Sequence, residues 1–222
     1  MTRPFVFINC AMSADGKTSS IQHRQIRISG PNDLARVDAL RASSDAVMVG
    51  VGSILADDPS LRVKSKELRD MRIKSGKQEN PLRIVADSTV KTPREAKVLG
   101  NGCILAISQS APRDRLALLS QKCEIIQCGK QKVDLGSLLK ILHEKGVRRL
   151  MVEGGATLNW ALIKDGLVDE VYAYIGAMLI AGENAPTLLG GDGFTANFPC
   201  LQLKTVEKID DGVLVRWCIS LS

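Results

Sequence analysis

The chain has 222 residues, 45% hydrophobic and 24% charged, with a formal net charge of +6; that balance belongs to a folded globular protein with a sizeable core, not to a disordered or fibrous chain. No apolar stretch reaches the roughly 20 residues of a membrane helix. The opening "MTRPFVFINCAMSADG" is interrupted at Asn9 and closed at Asp15, too short and polar for a secretory leader, so a cytoplasmic protein without membrane contact is expected.

"FVFINCAM" reads as the first strand. "SGPNDLARVDALRASS" predicts a helix capped by Ser29, with Pro31 in its first turn and Leu34, Val37 and Leu40 along one face. "DAVMVG" is a second strand; after it Gly50 and Gly52 precede Ser53 and a short helical turn stopped at Pro59. The basic stretch "RVKSKELRDMRIKSGKQ" has no aromatic residue to stack a base, so it reads as a solvated loop or short helix and not as a nucleic-acid surface. A mildly basic surface also suits small phosphorylated molecules.

Further strands follow at "RIVADS", "CILAIS", "CEIIQCG", "RRLMVE" and "VDEVYAYIGAML". Helical patterns lie between them. "PRDRLALLSQK" is one; "VDLGSLLKILHEKG" is another, with Leu135, Leu138, Leu139 and Leu142 facing inward, His143 at its end and Gly146 closing it. Most of these strands are continuously apolar, the pattern of a parallel sheet buried on both faces. Their alternation with helices predicts an α/β fold with right-handed crossovers. The last segment, "LQLKTVEKIDDGVLVRWCIS", alternates polar and apolar residues around Asp211-Gly212, predicting an antiparallel hairpin. No repeat or linker interrupts the chain, and one domain over 1–222 is expected.

Ligands of open α/β sheets bind beyond the carboxyl ends of the strands, and three such ends carry suggestive residues. The Gly50-x-Gly52 turn lacks the third glycine of a dinucleotide fingerprint, since Leu55 stands there. Asp87 and Ser88 are followed by Lys91 and Arg94, cations suited to a cofactor 2′-phosphate. Gly154-Gly155 permits a sharp turn, and Ala156-Thr157-Leu158 opens a helix whose N–H groups can hold a pyrophosphate. Together the three ends point to a nucleotide cofactor. Glu153 stands beside that turn, where its charge repels a pyrophosphate. It either caps a nearby backbone N–H or faces the substrate, binding hydroxyls or moving protons. Six cysteines without a Cys-x-x-Cys pair, and histidine only at His23 and His143, give no expectation of a metal site or a disulfide framework. Tyr-x-x-x-Lys, Walker A, Gly-x-Ser-x-Gly and the zinc-deaminase pattern are all missing.

"AMSADGKTSS", "LRASSDAVMVGVGSILADDPSL", "NPLRIVADS", "VEGGATLNWAL" and "LVDEVYAYIGAMLIAGENAPTLLGGDGF" occur in order over nearly the whole chain, which thereby resembles the reductases of riboflavin biosynthesis. That resemblance implies a dihydrofolate-reductase-like three-layer α/β sandwich, its mostly parallel central sheet carrying a C-terminal antiparallel hairpin and helices on both faces. It implies NADPH, with NADH as the other option, and reduction of the ribosylamino side chain of a diaminopyrimidinone 5′-phosphate to ribitylamino. By position it places the nicotinamide at Ala11 or Met12, further cofactor contacts at Ser53, Asp57 and Ser88, and the pyrophosphate at Gly154, Gly155, Ala156, Thr157 and Leu158. Substrate contacts fall on Arg41, Leu61 and Glu153. It implies a homodimer, and "YAYIGAMLIAG" is long for one exposed edge.

Three positions depart from the family pattern. Ala181 stands at the first glycine of the Pro-x-x-x-Gly-Gly segment, Lys64 where deaminase-fused relatives have arginine, and Asn9 where they have lysine. The last two favour the stand-alone branch, which reduces before deamination. The other readings are a reductase of the same fold acting on the deaminated pyrimidine or a pterin, and an NADPH-binding module without turnover. Oxidation of NADPH by the ribosylaminopyrimidinone phosphate separates them.

Overall fold

A computed structural model describes residues 2–22 and 26–220; His23 lies outside them. In chain order, β1 (Phe5–Ser13) precedes α1 (Pro31–Ser43), β2 (Ala46–Gly50), α2 (Val51–Asp57) and α3 (Lys66–Lys74). Next come β3 (Leu82–Ala86), β4 (Cys103–Ile107), α4 (Arg113–Leu119), β5 (Glu124–Gln127) and α5 (Leu135–Glu144). The chain ends with β6 (Arg149–Val152), α6 (Ala156–Lys164), β7 (Glu170–Gly176), β8 (Cys200–Ile209) and β9 (Gly212–Ser220). It divides into two compact units, one built on Asp38–Met151 and the other on Phe5–Val37 with the chain from Val152 onward.

In the first unit β2, β3, β4 and β5 pair in parallel, with Gly50 opposite Ala86 and Ala86 opposite Ala106. β4 is buried at every position, as expected of a strand covered on both faces. α5 follows from its sequence. Asp134 caps it by accepting from Ser137 N (2.9 Å), and Leu135, Leu138, Leu139 and Leu142 are all buried, at the i, i+3, i+4, i+7 spacing of one helical face. Its C-terminus closes with Gly146 N to His143 O and Val147 N to Leu142 O, both 3.0 Å, with Gly146 at φ +93°. This is the Schellman arrangement that favours glycine. The basic stretch forms α3, capped by Ser65, whose side chain accepts from Leu68 N.

In the second unit β1 and β7 are parallel, β7 and β9 antiparallel, and β9 and β8 antiparallel. The C-terminal hairpin is therefore present, one residue earlier than the Asp211-Gly212 signal. Its two loop residues are Asp210 and Asp211, with Asp210 at φ +53° and Gly212 already the first residue of β9. β7 is flanked by β1 and β9, so the first half of "YAYIGAMLIAG" is an interior strand, while the rest follows it outside the sheet with Leu179 78% exposed. On β8, Leu201, Leu203 and Val206 are 51–58% exposed.

α1 departs from its expected packing. Leu34 is 44% exposed, whereas Asp33 and Asp38 are 0% and 7% exposed. Polar anchoring replaces the apolar stripe. The cap is also not Ser29: the Asp210 carboxylate accepts from Asn32 N and Asp33 N. A carboxylate at a helix N-terminus satisfies unpaired N–H groups and meets the positive end of the helix dipole.

Candidate functional site

In the second unit, the parallel register puts Ala11 opposite Tyr174, Met12 opposite Ile175 and Ser13 opposite Gly176. Ala11 and Met12 are half-buried at the carboxyl end of β1. The turn after β1 is held by Asp15. Its carboxylate accepts from Ser13 Oγ (2.6 Å), Ile180 N (3.0 Å) and Ala181 N (2.7 Å). The Ser13 hydrogen bond first, and the backbone donors with it, lower the Asp15 pKa to about 2. Ala181 adopts φ +62°, so an alanine occupies here a left-handed conformation that favours glycine, with its amide gripped by Asp15.

Glu153, Gly154 and Gly155 join β6 to α6. Gly154 has φ +100°, a conformation that glycine adopts without the Cβ clash other residues meet, and the Gly154–Gly155 peptide is cis. Gly155 is the N-cap and contributes no side chain. The first intrahelical bond runs from Asn159 N to Gly155 O (3.0 Å). The amides of Ala156, Thr157 and Leu158 thus precede it, the group of donors that an α-helix leaves without internal acceptors. Thr157 is exposed. Leu158 is 7% exposed, its side chain part of the core, so only its backbone is suited to an anion. Glu153, half-buried, comes immediately before this turn.

In the first unit, Ser53 lies half-buried in the first turn of α2, and Asp57 is exposed at its end. Ser88 follows the carboxyl end of β3, adjacent to that of β2. Its Oγ accepts from Val133 N (3.0 Å), and its carbonyl accepts from Ser108 Oγ (2.8 Å). The Ser88 hydroxyl thus fastens the segment leading into α5 and keeps its own hydrogen to donate. Lys91 is exposed just beyond Val90, whose carbonyl accepts from Arg115 Nη1 (3.3 Å). Arg94 goes elsewhere. Its carbonyl takes the Lys122 ammonium (2.9 Å), and it lines a shallow hollow of about 520 Å³ with Glu95, Lys97, Asn101 and Lys122, where the chain enters β4 and β5.

Arg41 sits half-buried in the last turn of α1, with Nη1 donating to Arg62 O (3.3 Å). Beside it Asp38 accepts from Lys64 N (2.7 Å) and Ser65 N (2.8 Å), and Asn80 accepts from Val63 N (2.9 Å). Leu61, at φ +55°, is 1% exposed. Its side chain belongs to the core, so a substrate contact at this position would be made by its backbone. Asp15 and Asp38 were missed in the sequence because each acts on backbone amides distant in the chain. Asn159 was missed too, although an amide side chain inside the apolar run "ATLNWALI" was a visible signal.

The model of the RibD C-terminal domain family matches residues 4–215. The chain is 46% identical over 215 residues to the 2,5-diamino-6-ribosylamino-4(3H)-pyrimidinone 5′-phosphate reductase of Archaeoglobus fulgidus, covering 96% of this chain and 97% of that one. It is 39% identical over 221 residues to the reductase of the same name from Methanothermobacter thermautotrophicus, covering 98% and 99%. The solved structure of Acinetobacter baumannii RibD superposes with a TM-score of 0.79 at 26% identity, covering 99% of this chain and 59% of that one, so the chain spans about three fifths of that RibD. With the α/β order of mostly parallel strands and the C-terminal antiparallel hairpin, these matches show that the chain belongs to the RibD C-terminal domain family.

Proposed function

We propose that the chain is an NADPH-dependent reductase that converts the ribosylamino side chain of 2,5-diamino-6-ribosylamino-4(3H)-pyrimidinone 5′-phosphate to ribitylamino. The observation that carries this reading is the Glu153-Gly154-Gly155 turn at the amino end of α6, in a chain 46% identical to a reductase of that name. The residues fit the cofactor: a positive-φ glycine at Gly154 and the leading amides of Ala156, Thr157 and Leu158 make an anion-accepting helix start. NADPH would supply hydride to the sugar C1′ of the ring-opened imine.

The chain's own residues do the rest. The Gly154–Leu158 backbone holds the pyrophosphate, and Ala11 and Met12 support the nicotinamide. Ser53, Asp57 and Ser88 serve the same cofactor, and Lys91 its 2′-phosphate, which gives NADPH preference over NADH. Arg41 serves the substrate, its segment held by Asp38. Glu153, turned from the pyrophosphate by charge repulsion, binds the sugar hydroxyls and assists ring opening by proton transfer. We assign the protein to the cytoplasm and to a homodimer. Support for the dimer is the family resemblance and the apolar row on β8, where Leu201, Leu203 and Val206 lie opposite Ile219, Trp217 and Val215.

The test is a spectrophotometric assay with the synthesised substrate, its deaminated counterpart and a pterin. Oxidation of NADPH with the first and not the others is expected. Turnover with none, in a protein that binds NADPH, would leave a binding module; preference for either of the others would reassign the substrate.

A further inference from the structure

The segment Thr187–Phe194 is fastened along α6 by contacts that the proposed reaction does not use. Asn159, 2% exposed, donates from Nδ2 to Leu188 O (2.9 Å) across 29 residues. Two residues on, Gly190 N donates to Ala156 O (3.0 Å) in the first turn of the same helix. A Cβ at Gly190 would lie 3.4 Å from Ala156 and 3.5 Å from Thr157 N, and one at Gly191 would overlap the Trp160 ring. Phe194 then packs against Trp160 with ring centroids 4.5 Å apart and the planes tilted by 58°. Four successive features thus seat one strap on the turn that carries the amides of Ala156–Leu158. Only one of them, the Asn159 amide, is a buried side-chain hydrogen bond. Its Oδ1 has no hydrogen-bond partner among the described residues, so the donor end alone accounts for an amide at this apolar site, where an unpaired polar atom is otherwise costly.

We propose that Asn159 is a positioning residue for cofactor binding. It holds the Leu188 carbonyl, and through it places Gly190 against Ala156, so that the first turn of α6 is fixed before the cofactor arrives. The argument rests on the proposed pyrophosphate site at Gly154–Leu158. A cradle of backbone amides binds tightly only when it is ordered in advance, because ordering it on binding subtracts from affinity.

The test compares Asn159→Leu, which keeps the γ-branched outline and removes the donor, and Asn159→Ser, a smaller side chain that safeguards folding, with Leu162→Ala. Leu162 is fully buried in the same helix; its truncation lowers stability and leaves the Asn159 donor in place. NADPH Kd is read by fluorescence and exchange of the Gly190 amide by NMR. Both Asn159 variants should exchange Gly190 faster and bind NADPH about tenfold more weakly, the scale of one buried hydrogen bond, with kcat at saturating NADPH within twofold of wild type. Leu162→Ala should leave Kd within twofold. Unchanged Kd in a folded Asn159 variant, unchanged Gly190 exchange, or an equal loss of affinity in Leu162→Ala would each overturn the proposal. Gly155→Val separates the two levels. If it abolishes NADPH binding while the Asn159 variants bind normally, only the positioning role fails; if it also binds normally, the pyrophosphate site itself is misplaced.

Discussion

Asp210 ties the C-terminal hairpin turn to the start of α1. Its carboxylate accepts from Asn32 N (3.1 Å), Asp33 N (3.0 Å) and Asn32 Nδ2 (2.8 Å), capping α1 from a hairpin turn 177–178 residues away. Removing a helix cap costs about 1 kcal/mol. Loss of a negative charge at a helix N-terminus adds roughly 0.3–1 kcal/mol, at the low end for exposed groups such as these. Asp210→Gly should therefore destabilise by about 1–2 kcal/mol, since glycine tolerates the φ of +53°. Asp210→Ala should cost about 1 kcal/mol more, because alanine is strained there. At roughly 2–4 °C per kcal/mol for a chain of this size, the glycine variant should melt about 2–8 °C lower. Asp210→Asn keeps the shape and should lose only the charge contribution. Gly30 reports on the same contact from the other side: a Cβ there would overlap the Asp210 carboxylate. Gly30→Ala should destabilise the wild type and cost less in the Asp210→Gly background. The assay is urea unfolding of the four single variants and the double. A loss below about 0.5 kcal/mol in Asp210→Gly, or strict additivity with Gly30→Ala, would refute the cap.

Glu153→Gln should lower kcat by roughly 10²-fold or more if Glu153 moves a proton in ring opening, with NADPH affinity nearly unchanged; a rise in KM alone would mean that it only orients hydroxyls, and wild-type kinetics that it is structural. Lys91→Ala should weaken NADPH and leave NADH untouched, and equal weakening of both would remove Lys91 from the 2′-phosphate. Asp15 has a depressed folded pKa of about 2 against an ordinary 3.8, so its stabilisation is complete above the ordinary value and lost as pH falls through the folded one. Asp15→Asn should accordingly flatten the melting-temperature profile between about pH 4 and 2, and an unchanged acid limb would count against the clamp on Ile180 and Ala181. Light scattering at micromolar protein should give the mass of two chains, and Leu203→Lys on β8 should shift it towards one.

What could be read from the chain in advance was local. The four leucines of α5 and its closing Gly146 lie within 12 residues of one another, and one periodicity with one end signal specified them. The continuously apolar β4 and the alternating hairpin were equally plain, although the hairpin turn shifted by one residue because Asp210 is itself at home in the left-handed region. α1 was misread because its buried face is polar. Asp33 pairs with Arg36 inside the helix, whereas the partners of Asp38, Lys64 N and Ser65 N, lie elsewhere in the chain and nothing within "PNDLARVDALRAS" discloses them. The candidate site shows the same division. The Glu153–Leu158 turn was visible as a motif; the strap on Asn159, the grip of Asp38 on Lys64 and Ser65, and the burial of Leu61 depend on backbone atoms brought together by folding.

The central claim is hydride delivery to the ribosyl C1′, and isotope transfer tests it most directly. NADPH carrying deuterium at C4, prepared as each of the two stereoisomers, is incubated with the enzyme and 2,5-diamino-6-ribosylamino-4(3H)-pyrimidinone 5′-phosphate, and the product is analysed by mass spectrometry and NMR. The account predicts one deuterium at C1′ of the ribitylamino product from one stereoisomer and none from the other. Product without deuterium from either stereoisomer, or label at any other carbon, would contradict it.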